Sequence, residues 1–246
     1  MEQSLEGKVA IITGSGSGMG VGIALAVAKA GAAVALVGRT AETLEKTSAL
    51  IEEAGGRAIV AVCDITDRGQ VNAAVAKAQA ELGPVWLLVN NAVSTDNRPI
   101  EDVDDANLDL VLRSSIHGSL YMMQAVFPTM KAQGGRIINF GSGGATMGLP
   151  EVGAYAIAKE GVRGLTKTAA TGWGQCRIGD GAALSSVQSD DPDGDVPCWR
   201  HGRRDGTIRS RTVSGAHRET SRHPQRARPD IVRAPAAPAR CHKGAV

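Results

Sequence analysis

Apolar and polar positions alternate along the first part of the chain between two kinds of segment. Short runs dominated by aliphatic and β-branched residues stand at 8–13 (KVAIIT), 33–37, 58–62, 85–89 and 136–140, and each has the length and bounds of a buried strand. Between them, 18–31 is Ala-rich with helical spacing and closes on Gly, and helical patterns follow at 41–54, 67–82, 102–131 and 153–170. Five apolar strands separated by helices predict a parallel sheet covered on both faces, because a parallel crossover needs a connection long enough to return to the same edge. The expected fold class is α/β, a doubly wound parallel sheet. In such sheets ligands sit outside the carboxyl ends of the strands, where strand order reverses, so residues at strand ends carry the most information.

Beyond about residue 171 the pattern stops. The chain has 246 residues and a formal charge of +2, but residues 1–171 hold 14 basic and 17 acidic side chains while 172–246 hold 13 and 8, giving −3 and +5. That tail takes twelve of its thirteen basic residues as Arg and carries six of the ten prolines. Its Leu, Ile, Val and Phe number nine in 75 residues, too few to repay the entropy of ordering, so it reads as disordered or poorly packed. The expected division is a nucleotide-binding domain at 1–171 and an atypical Arg- and Pro-rich tail at 172–246. Mean hydropathy is −0.08, no apolar run reaches a membrane span, and the first residues lack a basic segment followed by an apolar one, so the cytoplasm is the expected compartment. Cys63, Cys176, Cys198 and Cys241 form no CxxC pair, and neither a metal site nor a disulfide framework is expected.

The first strand ends in Thr13-Gly14-Ser15-Gly16-Ser17-Gly18-Met19-Gly20, directly before the first helix. Gly14 permits a tight turn, and Gly18 and Gly20 let backbone amides and the helix N-terminus approach a pyrophosphate. A glycine cluster elsewhere would read as a plain flexible turn; its position between first strand and first helix makes it a nucleotide cradle. The second strand ends Val37-Gly38-Arg39-Thr40, with no acidic residue to hold an adenosine ribose. Arg39 and Thr40 suit a 2′-phosphate, so NADP is expected ahead of NAD, the alternative being that Arg39 only solvates a helix start. The third strand leads into Asp64-Ile65, where Asp64 either touches adenine or caps the next helix near Asp67.

With Asn90-Asn91-Ala92 after the fourth strand, Ile138-Asn139-Phe140-Gly141-Ser142 after the fifth and Tyr155-Ala156-Ile157-Ala158-Lys159 beyond, residues 5 to about 173 resemble the short-chain dehydrogenase/reductase family, nicotinamide-dependent enzymes with one Rossmann-type domain. The resemblance implies that Ser142, Tyr155 and Lys159 are catalytic and that the enzyme moves a hydride between NADP(H) and a ketone or secondary alcohol. It implies cofactor contacts from Gly14, Ser15, Ser17, Gly18, Met19 and Gly20 in the turn, from Arg39, Thr40, Asp64 and Ile65 after the second and third strands, from Asn91 and Ala92, and from Tyr155 and Lys159. The chemistry supports those residue types: a phenol with pKa near 10 is a weak base unaided, and a cation one helical turn away on the same face lowers that value. Ser142 at a strand end suits donation to the substrate oxygen. The family further implies a homodimer or homotetramer. Nucleic acid is not an expected partner, since the arginines of the tail are interspersed with prolines and acids and have little aromatic interleaving.

Two positions depart from the family. Val93 stands where a Gly is usual, and Ser115 stands where many members carry an Asn thought to hold a water in a proton relay. Serine keeps donor and acceptor capacity but is shorter, so Ser115 joins the catalytic candidates; His117 nearby reads as a solvated helix residue. After Gln175 no sixth strand or Pro-Gly loop is evident, leaving the fifth strand as an expected open edge. The tail's composition suits a GC-rich coding sequence read out of frame from about codons 172 to 180, the alternative being a genuine divergent C-terminus. The rival reading of the whole is therefore a catalytically impaired nucleotide-binding protein.

Overall fold

The strands β1 (Val9–Thr13), β2 (Ala33–Gly38), β3 (Arg57–Val62), β4 (Val85–Asn90), β5 (Gly135–Phe140) and β6 (Cys176–Gly181) form one sheet in the order β3-β2-β1-β4-β5-β6, with every pairing parallel. The structure, a computed structural model, describes residues 5–173 and the strand 176–181. The predicted tail beyond that strand, its order and its reading frame, lies outside the described residues. Chain order reverses between β1 and β4, which places the switch point, and with it the expected ligand crevice, between their carboxyl ends.

The helices are α1 (Gly18–Lys29), α2 (Ala41–Glu53), α3 (Arg68–Leu82), α4 (Asp105–Leu112), α5 (Gly118–Gln133), α6 (Gly143–Met147) and α7 (Gly153–Gly172). Successive strand residues point to opposite faces, so β1 feeds two cores. Ile11 joins Val37, Leu88 and Ile137 under Val71 and Val75 of α3 and Met122, Met123, Val126 and Met130 of α5. Ile12 joins Leu36 and Val89 under Ala24 of α1 and Leu44 and Ile51 of α2. The outer edge at β3 is guarded: Lys77 Nζ donates to the Val60 carbonyl at 2.8 Å, and Arg57 donates to the Glu81 carbonyl at 2.7 Å. Charged side chains on an edge strand discourage pairing with other chains.

Two expectations are corrected. The sheet does not stop at β5: β6 pairs with it from Gly135↔Cys176 to Phe140↔Gly181, so β5 is an interior strand. Strand pairing is a main-chain interaction, and CRIGDG, with Ile178 as its one β-branched residue, joins the open edge without showing an apolar pattern. The single helix expected over 102–131 is broken. A 3₁₀ turn at Ile100–Asp102 precedes α4, which starts afresh because Asp104 Oδ1 accepts from the Asn107 N–H at 2.7 Å. A π-helical turn, Arg113–His117, then separates α4 from α5, with the Gly118 N–H donating to the Arg113 carbonyl. Such insertions often occur at functional sites.

Among the described residues, Glu151 is the one non-glycine with positive φ, +62°, in the loop before α7. A side chain in that conformation crowds its own carbonyl and costs about 1 kcal/mol or more. Glu151→Gly is therefore expected to raise stability by about 0.5–1 kcal/mol after glycine's own entropy is subtracted, read as an increase in the urea midpoint.

Candidate active site

The turn after β1 is stitched to the end of β4. Thr13 Oγ1 accepts from the backbone N–H groups of Asn91 and Ala92, both at 3.0 Å, and Asn91 Nδ2 donates to the carbonyls of Thr13 at 3.0 Å and Gly14 at 3.3 Å. A methyl on Gly14 would lie 2.9 Å from Ala92 Cα, and one on Gly20 would collide with the Gly14 carbonyl, so glycine at both positions is a packing requirement. Gly18, with φ +51°, has open space where a Cβ would stand, so its backbone faces the cleft at the start of α1.

That cleft has a volume of about 690 Å³. It is lined by Gly14, Ser17, Gly18 and Met19 from the turn, Arg39 and Thr40 after β2, Asp64 and Ile65 after β3, and Asn91 and Ala92 after β4, all expected from the sequence. Ser15, Gly20, Tyr155 and Lys159 do not line it: Ser15 is fully buried with its hydroxyl toward the Val37 carbonyl, Gly20 is packed under the turn, and Tyr155 and Lys159 stand on α7 past β5. The capping role belongs to Asp67, whose Oδ1 accepts from the Gln70 N–H at 3.0 Å, which leaves Asp64 on the cleft with Oδ1 accepting from the Thr66 N–H. Thr43, Val93, Leu110 and Arg113 also line the cleft. Sequence reasoning missed Thr43, Leu110 and Arg113; Leu110 and Arg113 arrive from α4 and the π turn, and no local pattern marks them. Cys63 also lines the cleft, its thiol pushed up to about 11 by burial first and by Asp64 and Asp67 second.

A second group gathers past β5. Ser142 is the N-cap of α6, its Oγ accepting from the Ala145 N–H at 3.3 Å. Tyr155 and Lys159 lie one turn apart on α7, with the lysine Nζ 5.5 Å from the centroid of the phenol ring. Tyr155 packs against the cluster of Val111, Ala154 and Ala158. Lys159 is 6% exposed, and Nζ donates to the Phe140 carbonyl at 3.0 Å, which ties α7 to the end of β5. Burial lowers its pKa from 10.5 to about 8. Ser115 is buried in the π turn, and its Oγ has no hydrogen-bond partner among the described residues. That turn is clamped by contact: a methyl on Gly161 of α7 would meet Ile116 at 2.5 Å, and one on Gly118 would meet Ile65 at the same distance. His117 is exposed and stacks on Tyr121 at 6.1 Å, as a solvated residue would.

A chain of buried amides supports both groups. Asn90 Nδ2 donates to Asn139 Oδ1 at 2.8 Å, Asn139 Nδ2 donates to Thr166 Oγ1 at 2.9 Å, and Thr166 Oγ1 donates to the Val162 carbonyl at 2.7 Å. It links β4, β5 and α7 through groups no more than 6% exposed.

Residues 8–179 match the family described as short chain dehydrogenase. The chain belongs to that family. As a short-chain dehydrogenase it is 34% identical over 173 residues to gluconate 5-dehydrogenase of Gluconobacter oxydans, covering 70% of this chain and 68% of that one. It is 38% identical over 181 residues to the 12alpha-hydroxysteroid dehydrogenase of a Clostridium species, covering 70% of each. Among solved structures it resembles a citronellol catabolism dehydrogenase of Pseudomonas aeruginosa PAO1 with a TM-score of 0.69 at 36% identity, covering 72% of this chain and 74% of that one. It also resembles an NAD+-bound xylitol dehydrogenase with a TM-score of 0.68 at 33% identity, covering 71% and 68%. The family match runs through most of β6, past the boundary near 173 expected from the sequence. The protein is an NAD(P)-dependent short-chain dehydrogenase/reductase, an oxidoreductase of alcohols and ketones. A dinucleotide fits the cleft on the chain's own terms, since the open backbone at Gly18 and the start of α1 lie where a pyrophosphate needs donors. Among the described residues no helix is long and apolar enough to cross a membrane, and no group of side chains is arranged to hold a metal ion.

Proposed function

We propose that this short-chain dehydrogenase interconverts a ketone and a secondary alcohol with NADP(H) as the preferred cofactor, using Tyr155 as acid and base. The observation that carries the reading is the buried Lys159 ammonium, held by the Phe140 carbonyl and placed 5.5 Å from the Tyr155 ring. The nicotinamide, when bound, supplies or receives the hydride. Tyr155 Oη gives its proton to the carbonyl oxygen on reduction and takes it back on oxidation. Lys159 stabilises the phenolate in between, and its cationic head also reaches toward the ribose of the cofactor. Ser142 donates to the substrate oxygen as negative charge develops there. Ser115 Oγ, buried with no protein partner, holds a water that passes protons toward Lys159. The Gly14–Gly20 turn, with Ser17 and Met19, holds the pyrophosphate, Asp64 and Ile65 flank the adenine, and Asn91 and Ala92 the nicotinamide half.

The NADP preference rests on Arg39 and Thr40, both exposed on the cleft. Arg39 has no ion-pair partner among the described residues, so its guanidinium is available to a 2′-phosphate. NADPH is expected to bind about tenfold more tightly than NADH by fluorescence titration, and Arg39→Asp is expected to reverse the order, a difference of about 1.4 kcal/mol or more in each direction. Equal affinities in the unaltered protein would remove the preference. The chain is further read as a cytoplasmic homodimer or homotetramer, checked by light scattering on the purified protein. Turnover itself is tested by NADPH consumption against a panel of ketones; binding without turnover would leave a nucleotide-binding protein.

A further inference from the structure

Two arginines line the cofactor cleft, and they come from different sides of it. Sheet order sets the ends of β2 and β4 on either flank of β1, so Arg39 enters from the β2 side and Arg113, in the π turn beyond α4, from the β4 side. Arg113 is exposed and has no ion-pair partner among the described residues. Asp109 stands four residues earlier on α4, the spacing at which an acid and a base pair along a helix, yet the two are not paired. Asp64 is the one carboxylate among the described residues that line the cleft. It is not paired with Arg113 either, and its Oδ1 accepts from the Thr66 N–H at 2.9 Å. The guanidinium is therefore free to meet a ligand.

The main chain that carries Arg113 is fixed on several sides. Ser114 Oγ accepts from the Ser94 N–H at 3.0 Å and donates to the Leu110 carbonyl at 2.9 Å, which ties the π turn to the loop after β4 and to α4. Ile65 fills the space beside Gly118 and so ties the far end of the turn to the segment after β3, while Ile116 fills the space beside Gly161 of α7. Leu110 is three residues before Arg113, on the same helical face, and is 43% exposed on the cleft. The π turn thus brings Arg113 onto the lining together with two aliphatic side chains, Leu110 and Ile65. The phosphates of a dinucleotide find their donors from the β1 and β2 side, at Gly18, the start of α1, Arg39 and Thr40. What suits aliphatic carbon and a guanidinium plane is a flat ring: the plane stacks on an aromatic face and leaves its edge N–H groups to water or a carboxylate.

We propose that Arg113 is a cofactor-binding residue whose guanidinium stacks on the adenine ring, adding affinity for NADH and NADPH alike. This rests on the reading of the cleft as the dinucleotide site. The test is fluorescence titration of the full chain, and of its Arg113→Ala and Arg113→Lys variants, with NADPH and with NADH. Displacement of bound NADH by ADP, which carries the adenine without the nicotinamide or a 2′-phosphate, is measured alongside. Arg113→Ala is expected to raise Kd about tenfold for both dinucleotides and for ADP, leaving the ratio of NADPH to NADH affinity unchanged. Arg113→Lys keeps the charge but loses the flat face, and is expected to restore little of that affinity. The circular dichroism and urea midpoint of Arg113→Ala should match those of the unaltered protein, because the side chain is exposed and unpaired. A loss for NADPH alone would overturn the stacking and move Arg113 to the 2′-phosphate. Full recovery with lysine would overturn it in favour of a plain charge contact, and an unchanged ADP constant would take Arg113 off the adenine. Unchanged Kd values for all three ligands, in a protein whose NADPH binding Arg39→Asp weakens, would remove Arg113 from the site and leave the cleft reading standing. Dinucleotide binding that neither Arg113→Ala nor Arg39→Asp alters would overturn both.

Discussion

Tyr155→Phe is expected to lower kcat by about 10³-fold, within the range that a positioned acid–base group contributes. The phenyl ring keeps the packing of Tyr155 against Val111, Ala154 and Ala158, so the fold should be undisturbed. Tyr155 is not among the residues that line the cofactor cleft, which come from the segments after β1, β2, β3 and β4 and from α4 and the π turn, so NADPH affinity should change less than threefold. Single-turnover kinetics with saturating NADPH separates the two quantities. Unchanged turnover would dismiss Tyr155 as the proton carrier, whereas a collapse in affinity with normal kcat would place the residue in binding.

Lys159→Met is expected to abolish turnover and at the same time stabilise the protein, a combination that an ordinary core substitution does not give. The ammonium is 6% exposed, and its pKa falls from 10.5 to about 8 because burial disfavours the charged form. Between those two values the unfolded chain binds more protons than the folded one, so stability rises with pH across that window. Below about pH 8 both states carry the proton and the penalty is constant. Converted at 1.36 kcal/mol per pH unit, the penalty reaches about 3 kcal/mol, an upper figure because the Phe140 carbonyl compensates part of it. Methionine fills similar volume without charge. Urea denaturation at pH 7 should therefore show a gain of about 1–3 kcal/mol. The rise in stability expected between about pH 8 and 10.5 in the unaltered protein should be lost in the variant. A variant less stable at pH 7 would mean that the carbonyl bond outweighs desolvation.

The parts of this protein legible in its sequence are those set by local order along the chain. The run of apolar residues at β1, the glycines directly after it and the Ala-rich start of α1 sit side by side, and their meaning follows from adjacency. Tyr155 and Lys159 are likewise one helical turn apart, and the structure puts them within 5.5 Å. What stayed hidden depends on distant partners. The π turn at 113–117 is held by Ile116 on Gly161 and by Gly118 on Ile65, contacts that a helical pattern over 102–131 does not encode. Leu110 and Arg113 reach the cleft only because that break redirects the chain. β6 escaped because its sequence carries little apolar signal, and its pairing is supplied by the main chain of β5. The turned-in hydroxyl of Ser15 was hidden for a related reason: whether a small polar residue in a glycine turn faces ligand or core is decided by the neighbouring strand, here Val37.

The amides of Asn90 and Asn139 act as an alignment key between two strands that 49 residues of chain separate. Backbone pairing alone tolerates a slip of two residues between parallel strands, since the same faces would still be buried. Here that slip would leave the Asn90 Nδ2 donor and the Asn139 Oδ1 acceptor unmet in the interior, a cost of a few kcal/mol. Asn139 then offers Thr166 a partner only when the strands are seated in one alignment. The helix that carries Tyr155 and Lys159 thus docks on a surface that exists only after the sheet beneath it has been assembled correctly. Misaligned forms of this protein should accordingly lose the active site before they lose secondary structure.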